Sequence, residues 1–276
     1  MNLSISNIAW DRNEDAEVAS LLDSHDVRCI DVAPGKYFPD IPGATASEIR
    51  DVRAWWADRG VSIIGMQSLL FGTTGLNLFG DHDSRKRMLI QLGHVFRIAE
   101  GLGATRLVFG SPKNRDRHTL TSEQAHPLAV EFFRRAGDLA RDHGVMLCLE
   151  PNPPCYGSNY MTTSAETADV VGRVDHPNVK MQWDTGACFI NDEDPDDLVR
   201  RLAPIIGHIH ISEPGLVPIG QAGTDHRRMS SQLRTFLDPH VFTIEMLRPA
   251  AGVGGIDKAL RFTRNLYVSG EGACVR

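Results

Sequence analysis

Four apolar runs in the second half of the chain each end in a side chain that can bind a metal. VMLCLEP (145–151) delivers Glu150, VKMQWD (179–184) delivers Asp184, IIGHIH (205–210) delivers His210, and VFTIE (241–245) delivers Glu245. One polar residue at the end of a strand means little, because any strand must turn back toward solvent. Ligand-type residues at four consecutive strand ends imply convergence, provided the strands lie side by side. Three carboxylates and one imidazole form a hard, oxygen-rich set that favours one divalent ion, Mn²⁺ first, with Mg²⁺, Co²⁺ or Zn²⁺ also compatible. Glu150 and Glu245 could also take a proton from a carbon beside a carbonyl on one face and return one on the other.

Such residues need a scaffold that gathers strand ends. Eight short Val-, Ile- and Leu-rich runs recur at 3–10, 27–33, 61–69, 106–111, 145–150, 179–184, 205–212 and 241–247. They lack clean in/out alternation, as expected of strands covered on both faces. Helical patterns lie between them. In the segment 84–101, Met88, Leu92, Val95, Phe96 and Ala99 make one apolar face. The segment 131–143 repeats the pattern, and 14–23, 47–59, 164–174, 196–202, 228–237 and 256–268 are further helices. Gly60, Gly103 and Gly144 each stand between a helical pattern and a strand, where a left-handed cap is needed. Thr121 or Ser122, and Ser164, are expected helix caps. This alternation predicts an α/β fold, a (β/α)₈ barrel forming a single domain over 1–276. A doubly wound sheet fits less well, because no GxGxxG follows the first strand.

Composition narrows the partners. Hydrophobic residues are 42% and charged residues 23%, the balance of an ordinary globular protein. No run is long enough to span a membrane and the N-terminus carries no secretory pattern, so no membrane partner and a cytoplasmic location are expected. With a net charge of −6 and basic residues scattered singly or in pairs, there is no stripe for nucleic acid. The five cysteines form no CxxC pair and are expected to be reduced.

The segments LCLEP, QWDTG, HIHISEP and FTIEM, in that order, together with VFGSPKNR (108–115), resemble the sugar (phosphate) isomerase/epimerase family of xylose isomerase-like TIM barrels. The resemblance spans most of the chain and is strongest over 108–247. It implies a metal-dependent enzyme of carbohydrate metabolism acting on a small sugar or sugar derivative. The family's metal-binding residues fall on Glu150, Asp184, His210 and Glu245, and its acid/base pair on Glu150 and Glu245. The implied reaction removes a proton next to a carbonyl, passes through a metal-stabilised enediolate, and ends in epimerisation or isomerisation. A homodimer is the implied assembly.

The pattern departs from the family at two places. A histidine expected three residues after the metal-binding aspartate is Ala187 here, and an arginine expected after Glu213 is replaced by Pro214, Gly215 and Leu216. These changes bear on the substrate rather than on the metal. Further candidate substrate contacts are Trp10, Tyr37, Gln67, Lys113, Asn114, Arg115, His226 and Arg227. His208, two residues before His210, reads either as a partner of that imidazole or as a hydrogen-bonded barrel histidine. A lyase on the same site, such as a keto-inositol dehydratase or an enzyme cleaving a bond β to a sugar carbonyl, is the alternative reaction. A non-catalytic sugar-binding barrel is the alternative outside enzymes.

Overall fold

A computed structural model describes residues 2–268. Eight parallel strands close into a barrel in sequence order: β1 (Asn2–Ser6), β2 (Cys29–Val32), β3 (Ser62–Met66), β4 (Arg106–Phe109), β5 (Met146–Leu149), β6 (Val179–Asp184), β7 (Ile206–Ile211) and β8 (Val241–Ile244). Pairing of β1 with β8 completes the circle. The expected (β/α)₈ architecture is therefore present.

Around the strands lie α1 (Asp15–Ser24), α2 (Ala46–Ala57), α3 (His82–Leu102), α4 (Ser122–Asp142), α5 (Ser164–Val174), α6 (Thr185–Ile190), α7 (Pro195–Leu202), α8 (His226–Leu237) and α9 (Val253–Thr263). Their apolar stripes pack on the strands: Met88, Leu92, Val95, Phe96 and Ala99 of α3 are all fully buried. Gly60, Gly103 and Gly144 have φ of 72°, 83° and 64°, the left-handed geometry that lets each helix stop before the next strand. No helix among the described residues is long and apolar enough to cross a membrane. Cys29, Cys148, Cys155 and Cys188 are free thiols, and Cys274 lies outside the described residues.

Three local expectations are corrected. The first strand ends at Ser6, not Trp10, because the Ser6 side chain accepts from Ile8 N and turns residues Asn7–Ala9 into a 3₁₀ turn. Helix α4 begins about two turns before 131, with Thr121 capping it and Pro127 accommodated near its start. The cap of α5 is Thr163, whose Oγ1 accepts from Glu166 N at 3.1 Å, rather than Ser164.

Candidate metal centre

Strand register brings the four ligand-type residues to one level of the barrel. Asp184 pairs with His210 across β6 and β7, after a register shift between Met181 and Gln182. Glu245 directly follows β8, its N–H donating to Ile211 O at 2.9 Å, and Glu150 follows β5 with its N–H on Phe109 O at 3.2 Å. One ligand atom from each of Glu150, Asp184, His210 and Glu245 lies within 4.8 Å of the other three. His210 Nδ1 faces the glutamates, 3.2 Å from Glu245 Oε2 and 3.5 Å from Glu150 Oε1.

The surroundings are shaped to this cluster. A Cβ on Gly110 would stand 2.0 Å from Glu150 Oε2, so β4 can pass the carboxylate only because residue 110 is glycine. Asn152 Nδ2 donates to Glu150 Oε2 at 3.1 Å and to Gly110 O at 2.9 Å, bridging the two. Asp184 Oδ2 accepts from Ser212 Oγ at 2.7 Å, while its Oδ1 accepts from Ala187 N at 2.6 Å and caps α6. Gln67 Nε2 donates to Glu245 Oε1 at 2.6 Å.

Electrostatics without a cation are unfavourable. Burial, reinforced by the charges of Glu150 and Glu245, pushes the Asp184 carboxyl up to about 7. Burial also opposes charge on Glu245 and His210, but their mutual attraction prevails, holding the Glu245 carboxyl down and the His210 imidazole well up. Glu150 Oε1 is buried with no hydrogen-bond partner. A divalent ion would relieve the crowding of three carboxylates and give that oxygen a partner, so the donor set fits the hard cation expected of it.

Beside the cluster opens a pocket of about 430 Å³, lined by Glu150, Asp184 and Glu245 and by Gln67, Lys113, Asn152, Tyr156, Ala187 and Leu216 among others. Of the candidate substrate contacts, it brings together Gln67 and Lys113. The other six lie outside its lining. Trp10 and Tyr37 are buried around Asp15, donating to its carboxylate at 2.7 and 3.1 Å. Asn114 is occupied by Ser111 Oγ and Leu76 O. Arg115 is fully buried and donates to the backbone oxygen of Glu150 at 2.7 Å, so it braces the candidate ligand from behind. His226 is buried between Glu213 and Tyr267, at 3.1 and 2.7 Å, and Arg227 is exposed.

Ala187 does face the pocket, so the missing histidine leaves open volume rather than a filled wall. Glu213 lines the pocket, but its carboxylate is occupied: it accepts from Gly220 N, Thr224 N and Thr224 Oγ1 and fastens the loop that follows β7. Sequence reasoning passed over the parts played by Asn152, Ser212 and Asp31. Only Asp31 carried a visible signal, a charge inside the apolar run CIDV.

A model of the xylose isomerase-like TIM barrel family matches residues 19–266. The D-psicose 3-epimerase of Agrobacterium fabrum (strain C58) is 27% identical over 150 residues, 49% of this chain and 52% of that protein. A 3-dehydroshikimate dehydratase of Bacillus anthracis is 32% identical over 90 residues, 32% of this chain and 30% of that protein. The chain thus spans about half or less of the length of these curated relatives. Across the whole fold, a crystal structure of D-psicose 3-epimerase with D-fructose superposes with a TM-score of 0.80 at 19% identity, covering 97% of this chain and 99% of that one. On the closed eight-strand barrel and the extent of the family match, the chain belongs to the xylose isomerase-like TIM barrel family.

Proposed function

We propose that the protein is a divalent-metal-dependent epimerase or isomerase of a sugar or sugar derivative, with Glu150, Asp184, His210 and Glu245 as metal ligands and Mn²⁺ as the preferred ion. The observation that carries this reading is the approach of four ligand atoms to within 4.8 Å beside an open pocket. Similarity to a D-psicose 3-epimerase supports the reaction class. When bound, the cation would polarise a substrate carbonyl and stabilise the negative charge that develops as the neighbouring C–H proton leaves.

The chain supplies the proton transfer. Glu245, kept ionised by His210 and steadied by Gln67, is suited to accept a proton. Glu150, held by Asn152 and by Arg115 through its backbone, serves the opposite face. Lys113, the one cationic side chain lining the pocket among the described residues, is placed to meet an anionic or strongly polar substrate group.

Similarity to a 3-dehydroshikimate dehydratase favours a second reading, in which the same proton abstraction is followed by loss of a leaving group. Incubation of free and phosphorylated ketoses, keto-inositols and glycosides with Mn²⁺ in D₂O, followed by NMR and mass spectrometry, separates the two. Deuterium entering one carbon at otherwise unchanged mass supports epimerisation or isomerisation, and loss of water supports the lyase. If Glu150→Gln and Glu245→Gln leave the exchange rate of an accepted substrate unchanged, the acid/base pair is wrong.

A further inference from the structure

Beneath the four-ligand cluster lies a buried group that the proposed reaction leaves unused. Asp31, His208 and His210 are all fully or almost fully buried. Asp31 Oδ2 lies 2.5 Å from His208 Nε2 and 3.8 Å from His210 Nε2. Ser4 Oγ donates to the other carboxylate oxygen at 3.5 Å.

The chain makes specific room for this carboxylate. Register between β2 and β3 shifts between Ile30 and Asp31, which brings Asp31 opposite Gly65. A Cβ at Gly65 would stand 2.5 Å from Asp31 Oδ2. A residue with a side chain there would drive the carboxylate out. A carboxylate inside a barrel is costly unless it is paired, and the His208 ring at 2.5 Å and the Ser4 hydroxyl at 3.5 Å supply that pairing.

The three residues do not form a metal site of their own. Ligand bonds of roughly 2 Å to one ion hold ligand atoms about 3 Å or more apart, whereas Asp31 and His208 are already in hydrogen-bond contact at 2.5 Å. His210, by contrast, uses its two ring nitrogens in different directions: Nδ1 faces Glu150 and Glu245, and Nε2 faces Asp31. A neutral imidazole offers a lone pair at only one nitrogen. His210 Nε2 has no hydrogen-bond partner among the described residues, and the Asp31 carboxylate acts on it from 3.8 Å through its charge, favouring hydrogen on Nε2 and leaving the Nδ1 lone pair for a cation.

We infer that Asp31 is a positioning residue for the metal centre, biasing the His210 tautomer toward hydrogen on Nε2, with His208 anchoring the Asp31 carboxylate. This rests on reading Glu150, Asp184, His210 and Glu245 as metal ligands. Asp31→Asn preserves shape but removes the negative charge beside His210 Nε2, so the hydrogen is no longer drawn to that nitrogen. Gly65→Ala leaves Asp31 chemically intact and displaces it.

The test is calorimetric titration of wild type, Asp31→Asn and Gly65→Ala with Mn²⁺, joined to the visible spectrum of each Co²⁺-loaded protein and to thermal melting in EDTA. Both variants are expected to bind Mn²⁺ about 10- to 100-fold more weakly, with altered Co²⁺ bands, while retaining a cooperative metal-free melt. A folded Asp31→Asn with wild-type affinity and spectrum overturns the inference. If that variant does not fold, the same result in Gly65→Ala overturns it. Failure of the wild type to bind either ion would instead sink the metal reading, and this inference with it.

Discussion

Gln67 and Glu245 meet across the barrel mouth, the Gln67 amide nitrogen donating to Glu245 Oε1 at 2.6 Å although the two residues are 178 positions apart. That contact fixes which way the amide points, leaving Gln67 Oε1 buried and without a partner at the pocket wall. A substrate hydroxyl is the natural donor to that oxygen. Gln67→Ala removes a hydrogen bond to a charged acceptor, roughly 1.5–3 kcal/mol. The expected outcome is a fall of about 10- to 100-fold in kcat/KM for deuterium exchange, with the melting temperature lowered by roughly 3–10 °C. Gln67→Glu should be worse, since it sets a second carboxylate against Glu245.

Gly110 gives a sharper steric test. Alanine there places Cβ 2.0 Å from Glu150 Oε2 and must displace the carboxylate or the strand. Gly93, inside α3, has nothing within 4 Å of an added Cβ. Gly93→Ala should therefore be neutral or stabilise by about 0.4–1 kcal/mol, whereas Gly110→Ala should lose metal affinity and exchange activity. Paired denaturant melts and metal titrations on the two variants check both outcomes.

The contrast between these glycines shows what a sequence can and cannot reveal. Glu150, Asp184, His210 and Glu245 were legible because strand ends in a barrel share one face, so types and spacing alone imply their approach. Trp10 and Tyr37 were not, because the Ser6 cap ends β1 early and the 3₁₀ turn Pro34–Lys36 follows β2, and both rings donate to Asp15 instead of lining the pocket. Asn152 and Ser212 act through single hydrogen bonds made across loops, and no periodicity announces those. The sequence offers His226 as a candidate substrate contact, whereas Glu213 and Tyr267 claim it from distant parts of the chain.

Metal binding should depend on pH with a definite sign. Without a cation, Asp184 holds a proton up to about 7 and His210 remains protonated above its ordinary range. A cation must displace those protons, so affinity should rise as pH increases from about 6 to 8, with proton release on binding. Calorimetry in buffers of different ionisation enthalpy measures the release directly. A pH-independent affinity with no proton release would contradict the assignment of these two groups as ligands.

Removing the metal should also lower stability. A ligand at a hundred times its Kd that binds only the folded chain adds about 2.7 kcal/mol, which for a domain of this size corresponds to a rise in Tm of roughly 5–10 °C. Scans in EDTA and in excess Mn²⁺ should differ by about that amount. In Glu150→Gln and Asp184→Asn the difference should shrink, because the cation loses a charged partner in each.

The loop after β7 carries an acid-sensitive clasp, and its sign follows from two groups. Burial drives the His226 imidazole below its ordinary value despite the neighbouring Glu213 carboxylate. Below about pH 6.5 the unfolded chain therefore takes up a proton at this residue that the folded chain resists, and stability falls with acid. Glu213 is opposed by burial, but Thr224, His226 and the Gly220 amide outweigh it and hold its carboxyl low. Its contribution is present above the unfolded carboxylate range and is lost as pH falls through the folded value, so both groups weaken the clasp in the same direction. Denaturant melts between pH 7.5 and 5 should show wild type losing stability more steeply than His226→Gln, which cannot take up that proton. Equal slopes would remove His226 as the source of the acid sensitivity. Since the clasp lies in the loop that brings Gly215 and Leu216 to the pocket wall, KM for an accepted substrate should rise over the same interval, before the barrel itself unfolds.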